Sequence, residues 1–235
     1  MFRNSPAIIL SLDVSIKKAK EILKKIRGLK EEIAAVKISS LLCWEIGLKN
    51  VAEELREIGD FPLIFDAQKG GTDIPEIVKR QVKLVAKCGI DAFIASPAGA
   101  GEAALTAFVE ACSKYGIISI VVLEMTPPLW GAFLSEDAPM RILGKSLELG
   151  VANFVAPANK PQKVKVYREI AQKKKREIKI FSPGIGDQGG EVKLAVKSGS
   201  DFIIIGRRIY QAEDPRQKTI QIYQQIKEAL IPAGS

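Results

Sequence analysis

Ser182-Pro183-Gly184-Ile185-Gly186-Asp187-Gln188-Gly189-Gly190 follows the apolar run Ile178–Phe181, and residues 184–189 satisfy G-x-G-x-x-G. How this stretch is read decides the fold. As a dinucleotide fingerprint it needs an acidic residue closing the next strand and the rest of a doubly wound sheet behind it. Instead Asp201 precedes the next apolar run, Phe202–Ile205, which ends in Gly206-Arg207-Arg208. Residues 190–235 are too few for the remainder of such a domain, so an NAD site is rejected. Two glycine-bearing turns after consecutive strands, the second with arginines, suit a barrel. Barrels gather phosphate on backbone N–H groups of the loops after strands seven and eight, and an arginine adds a bidentate partner. The plainer alternative, glycines that only turn the chain and arginines that only face water, stays open at this point.

Working outward, the same texture recurs along the whole chain. Runs rich in Ile, Val and Phe read as buried strands at Ala7–Leu12, Ala34–Ile38, Pro62–Phe65, Ala92–Ala95, Ile117–Leu123, Ala152–Val155, Ile178–Phe181 and Phe202–Ile205. Between them lie amphipathic stretches with helical spacing, such as Ile16–Ile26, Val51–Ile58, Ile77–Ala86 and Val164–Lys174. Eight such units in 235 residues average about 29 residues each, near the ~30 of a βαβ unit. Strands apolar on both faces are what a parallel sheet requires. An open doubly wound sheet competes, but it rarely needs eight nearly equal units. The expected fold is α/β, a (β/α)8 TIM barrel, and no linker or composition break divides residues 1–235, which are expected to form one domain.

A barrel places its chemistry where strands end. Asp13 follows the first run, Lys37 lies near the end of the second, and Asp66 ends the third, with Lys69 and Asp73 in the loop behind it. Glu124 and Thr126 follow the fifth run, Ser182 and Pro183 the seventh, and Gly206, Arg207 and Arg208 the eighth. The densest constellation is Asp66-Ala67-Gln68-Lys69-Gly70-Gly71-Thr72-Asp73. Two carboxylates flanking a lysine keep it an ammonium, and such a group can donate a proton to a carbanion as it forms. A surface turn with an incidental ion pair is the alternative. Asp13 and Lys37, arriving at the same face from neighbouring strands, weigh against it.

Composition removes whole classes of chemistry. The chain has no histidine, which excludes Ser-His-Asp and Cys-His nucleophiles, imidazole acid–base catalysis and His-ligated zinc. Cys43, Cys88 and Cys112 form no C-x-x-C pair and read as small buried hydrophobes. The net charge of +8 reads as solvated helix faces: Lys17-Lys18, Lys24-Lys25 and Lys173–Arg176 lack the interleaved aromatics of a nucleic-acid surface. Trp44 and Trp130 are expected to pack, with Trp130 also placed to cover a site. The apolar start is too short for a signal segment, and nothing approaches the ~20 apolar residues of a membrane span. A cytoplasmic protein without membrane or nucleic-acid partners is expected.

Together these residues resemble the orotidine 5′-phosphate decarboxylase family, its compact archaeal form above all. The resemblance covers most of the chain and is strongest after residue 117. Val121-Val122-Leu123-Glu124-Met125-Thr126 is similar to the family's fifth strand and Ala156-Pro157-Ala158-Asn159-Lys160-Pro161 to its sixth loop. Residues 182–190 and Ile204-Ile205-Gly206-Arg207-Arg208-Ile209-Tyr210 resemble its phosphate-binding loops. The resemblance implies a homodimer with shared active sites. It would convert orotidine 5′-monophosphate to uridine 5′-monophosphate without metal or organic cofactor. It also implies roles: Asp13 on the ribose, Lys37 and Asp66 in an alternating charge network, Lys69 as proton donor, and Asp73 reaching into the partner's site. Thr126 would touch the pyrimidine, Gln188 the phosphate and the pyrimidine edge, and Gly206 and Arg207 the phosphate, with Pro183 in the same lining.

The third loop departs from the family's D-x-K-x-x-D. Two residues separate Asp66 from Lys69 and three separate Lys69 from Asp73, and Ile77 stands where Asp73-Ile74-Pro75-Glu76 is usually followed by threonine. Ser96-Pro97 ends the fourth run, where the family often has histidine. The phosphate end therefore transfers more directly than the catalytic register, where an ångström matters. Two rivals remain: a metal-assisted hexulose-phosphate aldolase or decarboxylase sharing the phosphate end, and a catalytically drifted nucleotide-binding homologue.

Overall fold

The β-branched and aromatic runs form the strands, and the amphipathic stretches between them form the covering helices. The computed structural model describes residues 2, 5–67, 73–127, 129–186 and 191–231. The strands are β1 (Ala7–Leu12), β2 (Ile33–Ser39), β3 (Leu63–Asp66), β4 (Ala92–Ala95), β5 (Ile118–Val122), β6 (Asn153–Val155), β7 (Lys179–Ser182) and β8 (Phe202–Ile205). The α-helices are α1 (Ile16–Ile26), α2 (Ser40–Ile46), α3 (Leu48–Arg56), α4 (Pro75–Lys87), α5 (Gly101–Tyr115), α6 (Ala138–Glu148), α7 (Pro161–Lys173), α8 (Val192–Lys197), α9 (Arg207–Tyr210) and α10 (Pro215–Leu230). All neighbouring strands pair in parallel, and β1 closes the barrel on β8 from Ala7 opposite Phe202 to Leu10 opposite Ile205. The open-sheet alternative is thereby excluded.

Helix ends follow local chemistry. Ser15 caps α1 by accepting from the Lys18 N–H, and Asp214 caps α10 by accepting from the Gln217 N–H at 3.0 Å, each satisfying a donor that the first turn leaves free. Pro75, Pro161 and Pro215 open their helices, where a missing N–H costs nothing.

Successive strand residues face opposite sides, and this alternation splits the core into two layers. Ile9, Ala35, Ile64, Ala92, Ile94, Ile120, Val122, Val155, Phe181, Phe202 and Ile204 fill the barrel interior. Their neighbours in sequence, among them Ile8, Leu10, Val36, Phe93, Val121 and Ile203, pack outward against helix residues such as Ile22, Val82, Phe108 and Ile226. Phe2 meets the Phe181 and Phe202 rings at 5.4 Å each and adds apolar packing to that interior. Asp201, immediately before β8, is buried and accepts from Ser5 Oγ at 3.0 Å, Lys179 Nζ at 2.9 Å and the Ile180 N–H at 2.9 Å, and it also pairs with Arg168. The carboxylate that fails as a ribose-binding residue is thus a structural hub at the strands' N-terminal ends, the end of a barrel that carries stability.

One expectation is corrected. Trp44 is 82% exposed rather than packed: α2 is seven residues long and buries only Leu42, so a side chain two positions further on points away from the barrel. Trp130 is half-buried. Cys112 is buried as expected, while Cys43 and Cys88 are half-buried at the edge of the core. Lys17, Lys18, Lys24, Lys25 and residues 173–176 are exposed, consistent with solvated faces. Among the described residues no helix is long and apolar enough to cross a membrane.

Candidate active site

The strand alternation that fills the barrel also builds its mouth. Two residues beyond interior-facing Ile9, Ala35, Ile64, Phe181 and Ile204 come Ser11, Lys37, Asp66, Pro183 and Gly206, and all five line one cavity of about 270 Å³. Asp13, Met125, Thr126, Pro127, Gly184, Ile185, Arg207, Arg208 and Tyr210 complete its walls, over a floor of Ile94, Val155 and Ile204. Polar side chains from five strand ends therefore converge over an apolar plug.

Among the charged residues that line the cavity, Lys37 and Asp66 form a buried pair. Lys37 Nζ donates to Asp66 Oδ2 at 2.6 Å, and both side chains are 9% exposed. Burial at this depth requires such a partner. Ser11 Oγ donates to Asp13 Oδ2 at 2.9 Å, orienting a carboxylate that is itself exposed at the rim.

A side chain would crowd its neighbours at two glycines of the loops after β7 and β8. A Cβ on Gly206 would sit 3.1 Å from the Ser11 carbonyl oxygen and 3.1 Å from the Tyr210 ring, so a side chain there would push the loop after β8 away from β1 by a few tenths of an ångström. Gly186 has φ +92°, and a Cβ there would meet Arg208 Cδ at 2.5 Å. The glycines bring backbone close to the cavity, and Arg207 and Arg208 supply fixed positive charge beside it. An anion is the natural guest of that wall.

The loop after β5 is tied from behind. Glu124 is buried, accepting from Lys160 Nζ at 2.5 Å and from Tyr167 OH at 3.0 Å. Burial, reinforced by the Glu124 charge, pushes the Tyr167 phenol well above its ordinary value, so it remains a donor. Asn159 Nδ2 donates to the Thr126 carbonyl at 3.4 Å, and the Ala158 N–H to the Pro183 carbonyl at 2.9 Å. The segment 156–161 thus fastens the ends of β5, β6 and β7 together. The thiols take no such part: burial pushes Cys112 up to about 12 and Cys43 up to about 11, which keeps them protonated and unreactive.

Of the residues singled out from sequence, Asp13, Lys37, Asp66, Thr126, Pro183, Gly206 and Arg207 line the one cavity. Asp73 does not: it is exposed, and one carboxylate oxygen accepts from its neighbour's backbone N–H on Ile74 at 2.7 Å. Lys69 and Gln188 lie outside the described residues. Sequence reasoning passed over Ser11 as a lining residue and Tyr167 as the buried partner of Glu124, and gave Ile185 and Tyr210 no role of their own within the loops it singled out. Ser11 was findable by stepping back two residues from Asp13; Tyr167 was not, because nothing local pairs it with a residue 43 positions earlier.

The class is defined by these features: a parallel (β/α)8 barrel that collects its charged side chains at the strand C-termini, where barrel enzymes carry their chemistry. More particularly, residues 6–222 match the orotidine 5′-phosphate decarboxylase / HUMPS family, and the chain belongs to it. A relative from Methanosarcina mazei, an orotidine 5′-phosphate decarboxylase, is 35% identical over 231 residues, spanning 98% of this chain and 99% of its own. The crystal structure of orotidine 5′-phosphate decarboxylase from Pyrococcus horikoshii is similar with a TM-score of 0.79 at 30% identity, over 94% of this chain and 99% of that one. The enzyme from Methanocaldococcus jannaschii, complexed with the inhibitor BMP, gives a TM-score of 0.83 at 25% identity, over 95% and 99%.

Proposed function

We propose that this chain, as a single barrel domain over residues 1–235, is a cytoplasmic carboxy-lyase. It converts orotidine 5′-monophosphate to uridine 5′-monophosphate in pyrimidine biosynthesis, without metal or organic cofactor. The observation that carries this reading is the buried Lys37–Asp66 pair in the same cavity as Gly206 and Arg207, in a chain whose relatives over nearly its whole length are orotidine 5′-phosphate decarboxylases.

In this reading Arg207, Gly206 and Gln188 hold the 5′-phosphate, Asp13 the ribose, and Thr126 and Pro183 the pyrimidine. Asp66, paired with Lys37 at 2.6 Å, crowds the substrate carboxylate. The bond from C6 to the carboxylate carbon breaks, carbon dioxide leaves, and the electron pair stays on C6. The Lys69 ammonium stabilises that charge and then gives C6 its proton. Charges already paired and oriented need no reorganisation as the transition state forms. Binding energy from the distant phosphate supports orientation at C6.

The reading includes a homodimer in which Asp73 of the partner subunit completes each site. Its support is the exposed apolar set on the segments after β2 and β3: Leu41 at 53%, Trp44 at 82% and Ile74 at 61%, the last adjoining Asp73. Large exposed apolar side chains of this kind mark an association surface.

The deciding experiment follows loss of orotidine monophosphate absorbance with and without EDTA. Turnover that resists chelation is expected. Turnover abolished by EDTA points to the metal-assisted sugar-phosphate chemistry, and uridine monophosphate binding without any turnover points to a drifted homologue.

A further inference from the structure

Beyond the arginine wall lies a second, shallower cavity of about 220 Å³, lined by Arg207, Arg208, Gln211, Ala212 and Lys218. Arg207 and Arg208 line both cavities, so the two spaces meet across the same pair of guanidinium groups. Three of the five lining residues are cations and none is acidic. Of the acidic residues nearest in sequence, Asp214 is turned to cap α10 through the Gln217 N–H at 3.0 Å, and Glu213 does not line the space. Among the described residues neither Arg208 nor Lys218 makes an ion pair. Both are partly buried, and the Arg208 stem is braced against Gly186. Holding like charges close together is unfavourable, and a polyanion relieves it.

A nucleoside monophosphate seated on Gly206 and Arg207 leaves Arg208 and Lys218 unused. We propose that the outer cavity is a subsite for a second phosphoryl group, so that uridine 5′-diphosphate and its triphosphate bind here and compete with the substrate. The base and ribose occupy the inner cavity, the first phosphate lies on Arg207, and the next extends past the arginine pair toward Lys218. This inference rests on the reading that the inner cavity takes a uridine 5′-phosphate. It adds that nucleotides carrying a longer phosphate chain inhibit decarboxylation.

The test is titration calorimetry of uridine mono- and diphosphate on the full chain and on Lys218→Gln, with Lys24→Gln on α1 as a control for overall charge and circular dichroism to confirm folding. The diphosphate is expected to bind about tenfold more tightly than the monophosphate, the scale of one added charge-assisted contact. In Lys218→Gln most of that gain disappears while monophosphate affinity is unchanged; Lys24→Gln keeps it. A diphosphate no tighter than the monophosphate overturns the subsite, as does a gain that survives Lys218→Gln or falls equally in Lys24→Gln. Failure of the monophosphate itself to bind overturns the parent reading instead, and the subsite with it.

Discussion

Lys37 Nζ lies 2.6 Å from Asp66 Oδ2 across the β2–β3 ladder, both side chains 9% exposed. In that ladder Lys37 stands opposite Ile64 and Ser39 opposite Asp66, so the contact is a diagonal one, reached because both side chains face the barrel axis. A buried pair of this kind contributes little net stability over an apolar pair but is costly to break singly.

Lys37→Met should therefore destabilise the fold by about 3–5 kcal/mol, because it breaks one half of a buried ion pair. The double variant Lys37→Met/Asp66→Leu should regain much of that loss in chemical denaturation. It should nonetheless show turnover orders of magnitude below the parent, since the charge arrangement is gone. Activity that returned with stability would remove the pair from the chemistry.

Arg207 and Lys69 should separate binding from turnover. Arg207→Ala is expected to weaken uridine monophosphate binding by ~1.5–3 kcal/mol, the scale of a lost charge-assisted contact. Lys69→Ala should bind that nucleotide almost normally while kcat falls by orders of magnitude. If Lys69→Ala turns over at near-parental rates and a folded Lys37 variant does not, the proton donor is Lys37.

Asp73 should act in trans. Mixing inactive Asp73→Asn and Lys69→Ala dimers is expected to produce hybrids with one intact site and a measurable fraction of parental activity. Verified subunit exchange with no recovered activity would place Asp73 outside the shared site.

Tyr167 should show itself in alkaline stability. Its phenol is held protonated in the fold by burial and by the Glu124 charge, whereas an unfolded tyrosine titrates near ~10. The folded state thus binds more protons above that pH, so this contribution is whole below pH ~10 and lost as pH rises past it. Cys43 and Cys112, raised to about 11 and about 12, act in the same direction from ~8.5. Denaturation midpoints followed from pH 7 to 11 should fall in both segments. Tyr167→Phe should flatten only the decline above pH ~10. At pH 7 it should cost about 1–3 kcal/mol by removing a donor from buried Glu124.

Much of the fold was legible because strand and helix periods differ. β1, β4 and β8 and helix α1 run from the residues expected of them, and the other strands differ by a residue or two at their ends. The glycine turns at residues 184–186 and 206 could be read for the same local reason: φ +92° at Gly186 favours glycine, and the approach of Gly206 to Ser11 leaves little room for a Cβ. Trp44 was misplaced because an aromatic residue beside an apolar run carries no mark of whether its helix is long enough to turn it inward.

The sequence by itself determined the eight-unit alternation, the absence of imidazole chemistry, and the residue types available at each strand end. Which of those residues meet was decided by the tertiary structure. A strand that is apolar on both faces has a period of two but no visible phase, so nothing in Ile33–Ser39 alone says that Lys37 rather than Val36 faces the axis. Closing β1 on β8 sets that phase for every strand at once. It turns Ser11, Lys37, Asp66 and Gly206 into one cavity, leaves Asp201 at the opposite end as a hub, and joins Glu124 to Tyr167 across the sixth unit. Local physics writes the pieces, and the geometry of a closed sheet chooses their neighbours.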